Sequence, residues 1–213
     1  MASKRKSRDL NRSKAKKEPY EVILIVCEDK KTEPLYFNNL RKVEDLSSVN
    51  ISIISGDGTD PISVVDTAIE KLEEQKKYLA FDKVYCVIDR DKHHHFEQAI
   101  NKAKEHNIDL IISYPSFEYW YICHFVLSRS PIEQTGNKSA GDNCVHILNQ
   151  YWKTEFGQAY SKNLNNPYEL LLSKLGIAIN NAQQVLKQAN SENNFNPSTQ
   201  VHELVDKLRK LKR

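Results

Sequence analysis

The sequence predicts an α/β fold: a four-stranded parallel sheet flanked by helices and followed by a helical C-terminal elaboration. Three observations carry this. Short apolar runs rich in Val, Ile and Tyr alternate with stretches whose apolar residues recur at helical spacing, a βαβαβαβ rhythm over residues 20–112. Such a rhythm implies right-handed crossovers with helices on both sheet faces. The first run is apolar almost throughout, as a strand covered on both sides requires. Beyond residue 116 the strand-like runs stop and helical spacing remains.

Residues 20–27 are the first strand, and Glu28 follows it directly. Thr32 is placed as the cap of the first helix, whose opening turn holds Glu33 and Pro34, positions that favour an acid and a proline. Tyr36, Leu40 and Val43 continue its apolar face. Residues 51–55 are the second strand. In the turn Gly56-Asp57-Gly58-Thr59-Asp60-Pro61, Asp60 is the expected N-cap and Pro61 the first helical residue. Ile62, Val65, Ala68, Ile69 and Leu72 give the second helix one stripe. Residues 83–91 are the third strand, Phe96, Ala99, Ile100 and Ala103 mark the third helix, and residues 110–112 are the fourth strand.

Residues 117–127 are aromatic and apolar nearly all round and predict a buried helix. Val145, Leu148 and Trp152 indicate another. Leu171, Leu172, Leu175, Ala178, Ala182, Val185 and Leu186 indicate a longer one, and Val201, Leu204, Val205, Leu208 and Leu211 a last one with a basic surround. Residues 129–143 and 191–198 read as polar loops. The predicted division is a disordered basic tail (1–18), an α/β core (19–128) and a helical elaboration packed on it (129–213).

Composition narrows the setting. The chain is 28% charged and 39% hydrophobic, a soluble profile. No apolar run approaches the ~20 residues that span a bilayer, and the basic N-terminus lacks the apolar segment of a secretory signal. Cys27, Cys86, Cys123 and Cys144 lie in or beside apolar runs without CxxC spacing, so reduced thiols and a cytoplasmic protein are expected. Residues 1–18 hold eight Lys/Arg against Asp9 and Glu18, a net of +6. Because the whole chain carries +3, residues 19–213 together carry −3. A basic tail of this kind suits phosphate contacts or serves as a solubilising leader.

Chemistry concentrates where strands end in acids. The run Lys83-Val84-Tyr85-Cys86-Val87-Ile88-Asp89-Arg90-Asp91 closes on two carboxylates one residue apart, which extended geometry projects to one side. Adjacent carboxylates repel and raise each other's pKa unless a cation lies between them, and hard oxygen donors suit Mg²⁺ or Mn²⁺. The plain alternative is that Asp89 caps a helix and Asp91 is solvated. If strands one and three are neighbours, in the order 2-1-3-4, Glu28, Asp89 and Asp91 meet at the switch point where open α/β sheets bind ligands.

These segments also carry a resemblance. Ile25-Val26-Cys27-Glu28 with Lys31-Thr32-Glu33-Pro34, then Gly58-Thr59-Asp60-Pro61, Asp89-Arg90-Asp91, Pro115-Ser116-Phe117-Glu118-Tyr119-Trp120, His124-Phe125, Asn196-Pro197-Ser198-Thr199 and Val201-His202 with Leu204-Val205 resemble the RloB family. The match covers nearly the whole chain beyond the tail. The family includes AbiL-type abortive-infection components and is similar to Toprim-fold proteins, so the resemblance implies a Toprim/Rossmann-like sheet. It also implies a metal site at Glu28, Asp89 and Asp91, and association with an AAA/ABC-type ATPase. Asp29 departs from the glycine usual in the family.

Other residues are open to two readings. Glu118 is a further catalytic or metal-binding candidate, or it fixes a neighbouring side chain. His124 either assists acid–base chemistry or is a hydrogen-bonded core histidine. Lys30 and Lys31 are candidates to hold a substrate phosphate. His93-His94-His95 reads as a polar loop, since adjacent histidines do not readily face one ion. The Gly56–Gly58 turn lacks the lysine and spacing of a P-loop. A haloacid-type hydrolase would place its Asp-x-Asp after the first strand. Two functions follow: a Mg²⁺- or Mn²⁺-dependent nuclease acting on DNA or RNA in anti-phage defence, or a non-catalytic subunit of the same fold docked on an ATPase. Neither involves a membrane, and both are compatible with a homo-oligomer.

Overall fold

The structure, a computed structural model, describes residues 21–47, 50–58, 60–75, 80–90 and 95–211. The basic tail, Asp91, His93 and His94 lie outside them. The elements are β1 (Ile23–Cys27), α1 (Thr32–Val43), β2 (Ile51–Ser55), α2 (Pro61–Gln75), β3 (Lys83–Asp89), α3 (Phe96–Glu105), β4 (Asp109–Tyr114), α4 (Glu118–Ile122), α5 (Ala140–Phe156), α6 (Pro167–Leu171), a 3-10 turn (Leu172–Lys174), α7 (Leu175–Glu192), β5 (Ser198–Thr199) and α8 (Val201–Lys210).

The sheet order is β2-β1-β3-β4-β5. The first four strands are parallel, with Cys27 level with Ser55 on one side and Val87 on the other. The predicted 2-1-3-4 order is therefore present, but the sheet has five strands, not four. β5 runs antiparallel to β4, pairing Ser113 with Thr199 and Tyr114 with Ser198. Two polar residues carry no strand pattern. The pair is held instead by a Ser113–Thr199 hydroxyl contact at 2.9 Å and by the Ile112 N–H donating to Gln200 Oε1 at 3.0 Å.

Strand parity divides the core. Ile23, Ile25, Cys27, Tyr85 and Val87 pack with Tyr36, Phe37, Trp120 and Trp152 on one face. Leu24, Val26, Val84, Cys86 and Ile88 pack with α2 and α3 on the other. Both faces of β1 and β3 are covered, which explains their unbroken apolar sequence. Asp89 continues the parity of Tyr85 and Val87 and so belongs to the face occupied by α1, α4 and α5.

Several boundaries differ from the reading of the sequence. The aromatic helix is short: α4 stops at Ile122 and His124 lies in the turn after it. α5 starts inside the predicted loop, at Ala140, because Ser139 and Asp142 form a reciprocal capping box with an aspartate in place of the usual glutamate. Gly157 ends α5 and Asn193 ends α7, both in left-handed conformation. The long C-terminal helix is broken by the 3-10 turn into α6 and α7.

Candidate active site

β3 runs two residues beyond the last β1 pair, and this overhang builds the site. The Glu28 N–H donates to Val87 O at 3.1 Å, while the Glu28 carboxylate accepts the Asp89 N–H at 2.9 Å. The strand-one acid is thereby held against the end of strand three. Glu33, in the first turn of α1, lies on the helix face that buries Phe37 and Leu40 and is only 1% exposed. Glu118, from α4, is 2% exposed and accepts the Ser116 hydroxyl at 2.7 Å.

α1 is positioned by Asp29. Its carboxylate accepts from Lys31 N–H at 3.2 Å and from the Thr32 hydroxyl at 3.0 Å, while its own N–H donates to Glu33 Oε2 at 3.1 Å. Thr32 is thus the first helical residue rather than the cap, and Asp29 supplies the capping oxygen. Asp29 has a local function: its carboxylate organises the turn and a second acid, Glu33, is tied to it.

Lys162 reaches the cluster from the segment between α5 and α6. Its ammonium is 3.4 Å from Glu118 Oε1 and 3.9 Å from Asp29 Oδ2. A cavity of about 220 Å³ opens among Glu28, Asp89, Ser116, Glu118, Asp142 and Lys162.

The electrostatics follow from crowding acids in a poorly hydrated place. Burial, then Glu33, Glu28 and Glu118, push Asp89 well above the usual carboxylate range, with Lys162 pulling the other way. Glu33 is likewise pushed well up, by burial first and then by Asp29. Burial draws Lys162 down, but Glu118 and Asp29 more than offset it, so the ammonium is held above its ordinary value. Among the described residues, Asp89 Oδ1 is buried without a hydrogen bond, and Glu118 Oε1 has the Lys162 ion pair but no hydrogen bond. An orphaned carboxylate oxygen among repelling acids is costly unless a cation fills the place.

The donor chemistry therefore fits a hard divalent cation. Among the described residues, no group of three or more His, Cys, Asp or Glu side chains is already set to hold a metal ion. Asp91, the third acid of the sequence motif, lies outside those residues.

A family model described as RloB-like protein matches residues 23–208. The chain belongs to the RloB-like family. No curated protein and no solved structure matches the chain significantly.

The family match spans the acids and the lysine of the site. Of the residues singled out in this RloB-like sequence, Glu28, Asp89 and Glu118 come together. Lys30 and Lys31 are exposed on the β1–α1 turn, and the cavity is lined by Lys162 instead. His95 contacts Asp60 at 2.8 Å, outside the cavity lining. His124 is a core histidine: its Nδ1 is 3.0 Å from Trp120 O, its ring packs edge-on to Trp120, and burial pushes its pKa down to about 4. Sequence reasoning missed Glu33 and Lys162. Glu33 had a readable signal, an acid four and seven residues before Phe37 and Leu40 on the apolar face. Lys162 had none, since its placement depends on how α5 folds back over the sheet. Among the described residues no helix is long and apolar enough to cross a membrane.

Proposed function

We propose that this RloB-like protein is a Toprim-like, Mg²⁺- or Mn²⁺-dependent nuclease that hydrolyses phosphodiester bonds of DNA or RNA as an effector of anti-phage defence. The observation that carries the reading is the buried Asp89 Oδ1, without a hydrogen bond among the described residues, which sits with Glu28 and Glu118 in the lining of an open cavity at the sheet's switch point, with Glu33 near enough to push the Asp89 carboxyl up. Among the described residues Lys162 pairs with Glu118 and Asp29, while burial and the neighbouring acids push Asp89 and Glu33 well up.

Glu28, Asp89 and Asp91 would hold the cation, which when bound orients water and neutralises charge on the scissile phosphate. The chain's own residues do the rest. Lys162, half-exposed at the rim, offers an ammonium to a phosphate oxygen. Glu118 keeps that ammonium over the cavity, and Ser116 keeps Glu118 in place. Asp29 holds the turn that presents Glu28 and Glu33.

The test is metal-dependent cleavage of RNA and DNA, with the partner AAA/ABC-type ATPase that the family resemblance implies, by wild type, Asp89→Asn, Asp91→Asn and Glu28→Gln. Cleavage and protection against phage should fall by orders of magnitude in each, because charge stabilisation at the phosphate is usually the largest catalytic contribution. Protection retained by all three variants overturns the nuclease and leaves a docking subunit.

A further inference from the structure

Beside the carboxylates, on the other residue of the strand-end motif, lies a cation with no anionic partner among the described residues. The Arg90 guanidinium sits 5.0 Å from the ring centre of Phe96, 5.7 Å from Tyr114 and 5.6 Å from Phe195. These rings come from three separate segments: the start of α3, the end of β4, and the stretch between α7 and β5. The Arg90 N–H donates to Ser113 O at 2.7 Å, which fixes the base of the side chain. Among the described residues no carboxylate oxygen lies within 4.0 Å of the guanidinium, and none accepts a hydrogen bond from it.

Aromatic rings attract the charge of a guanidinium but do not supply oxygen acceptors for its N–H groups. Cation–π contact stabilises the charge, yet the five N–H donors lie in the plane and need oxygen acceptors. A guanidinium held among three rings, with no carboxylate within 4.0 Å among the described residues, is preorganised for a bidentate oxyanion, phosphate above all. Surface arginines are free to swing; this one is clasped.

Its surroundings say which oxyanion. Arg90 lines a small cleft with Tyr114, Pro115, Glu133, Gln134 and Ser139. Pro115 and Ser139 also line the carboxylate cavity, so the two openings adjoin. Glu133 is the acid of this cleft, and its Oε1 is engaged by the Asn196 side-chain amide at 2.7 Å. A chain molecule whose phosphates repeat along its length is the oxyanion that would meet both openings.

We infer that Arg90, clasped by Phe96, Tyr114 and Phe195, is a binding site for a backbone phosphodiester of a nucleic-acid strand, next to the phosphate held at the carboxylate cavity. The inference rests on the proposed nuclease only for the position of that second phosphate. Arg90 binds and positions; it does not take part in bond cleavage.

The experiment measures binding of fluorescent single-stranded DNA and RNA oligonucleotides to the full chain, without divalent cation, over a series of salt concentrations. Arg90→Gln should bind about tenfold more weakly, and its plot of log affinity against log salt should flatten by about 0.7, one phosphate's worth for a single strand. Arg90→Lys keeps the charge but loses the fork, so the slope should stay while affinity drops several-fold. Wild-type affinity and slope in Arg90→Gln overturn the site. If Arg90→Gln melts below the assay temperature, Phe195→Leu decides, since it opens the clasp and keeps the charge. A several-fold loss in that variant upholds the site, and unchanged affinity overturns it. Stabilisation by Mn²⁺ is read in parallel. A flattened slope in Arg90→Gln together with no metal response in wild type removes the nuclease and keeps the phosphate site; the reverse pattern removes the phosphate site alone.

Discussion

The Glu28 carboxylate accepts the backbone N–H of Asp89 at 2.9 Å, across the boundary between β1 and β3. One acid of the site therefore uses an oxygen to fix the backbone of another. Metal-binding and scaffolding roles of Glu28 are separable by substitution. Glu28→Gln keeps a carbonyl acceptor and should fold like wild type. Glu28→Ala strands a partly buried N–H and should lose about 1–3 kcal/mol, read as a lower urea midpoint at unchanged m-value.

Clustered acids gain stability when a cation binds the folded state alone. Mn²⁺ should raise the melting temperature of wild type in a concentration-dependent way, and Asp89→Ala should lose most of that response. Equal shifts in the two proteins would remove Asp89 from any metal site.

Glu33 makes a prediction with a definite sign. Its carboxyl is pushed up in the folded protein, so the folded state binds its proton more tightly than the unfolded chain does. That stabilisation is complete below the ordinary carboxylate range and is lost as pH rises through the folded value. At neutral pH and without metal, Glu33→Gln should melt above wild type, and the gap should close as pH falls towards 4. A variant less stable than wild type at neutral pH would show that the Asp29–Glu33 contact outweighs the repulsion.

His124 gives the opposite slope. It is held neutral, with its pKa pushed down to about 4 by burial. The unfolded chain takes up that proton near pH 6.5 and the folded one does not, so stability falls as pH drops between the two values, by about 3 kcal/mol in all. His124→Phe should show a shallower loss of stability over that interval in urea titrations at stepped pH.

The basic segment of residues 1–18 carries a net charge of +6. Deleting residues 2–17 should weaken nucleic-acid binding and flatten its salt dependence, because neutralised phosphates release counterions. An unchanged salt slope would reduce the segment to a leader.

The parallel strands, their order and the meeting of Glu28 with Asp89 were legible because each rests on local periodicity plus one topological rule. The helix boundaries were less so. α5 starts at a capping box that uses Asp142 where glutamate is the usual signal, and α4 stops early although its sequence stays apolar. β5 was invisible, since Ser198 and Thr199 are a strand only by pairing with β4. At the site, Glu33 could be read from its place on an apolar helix face. Lys162 and the rings around Arg90 could not, because they arrive from segments far along the chain.

The antiparallel addition of β5 also sets a timetable. Ser113 and Thr199 are 86 residues apart, and Arg90 needs Phe195 to close its clasp. During synthesis β4 therefore presents an open sheet edge until most of the chain has emerged, and open edges recruit strands from other molecules. Contacts of such sequence separation also form slowly. The ring clasp around Arg90 is among the last parts of the molecule to be assembled, so a nascent chain that has already formed β1 and β3 still lacks the ring of Phe195 there.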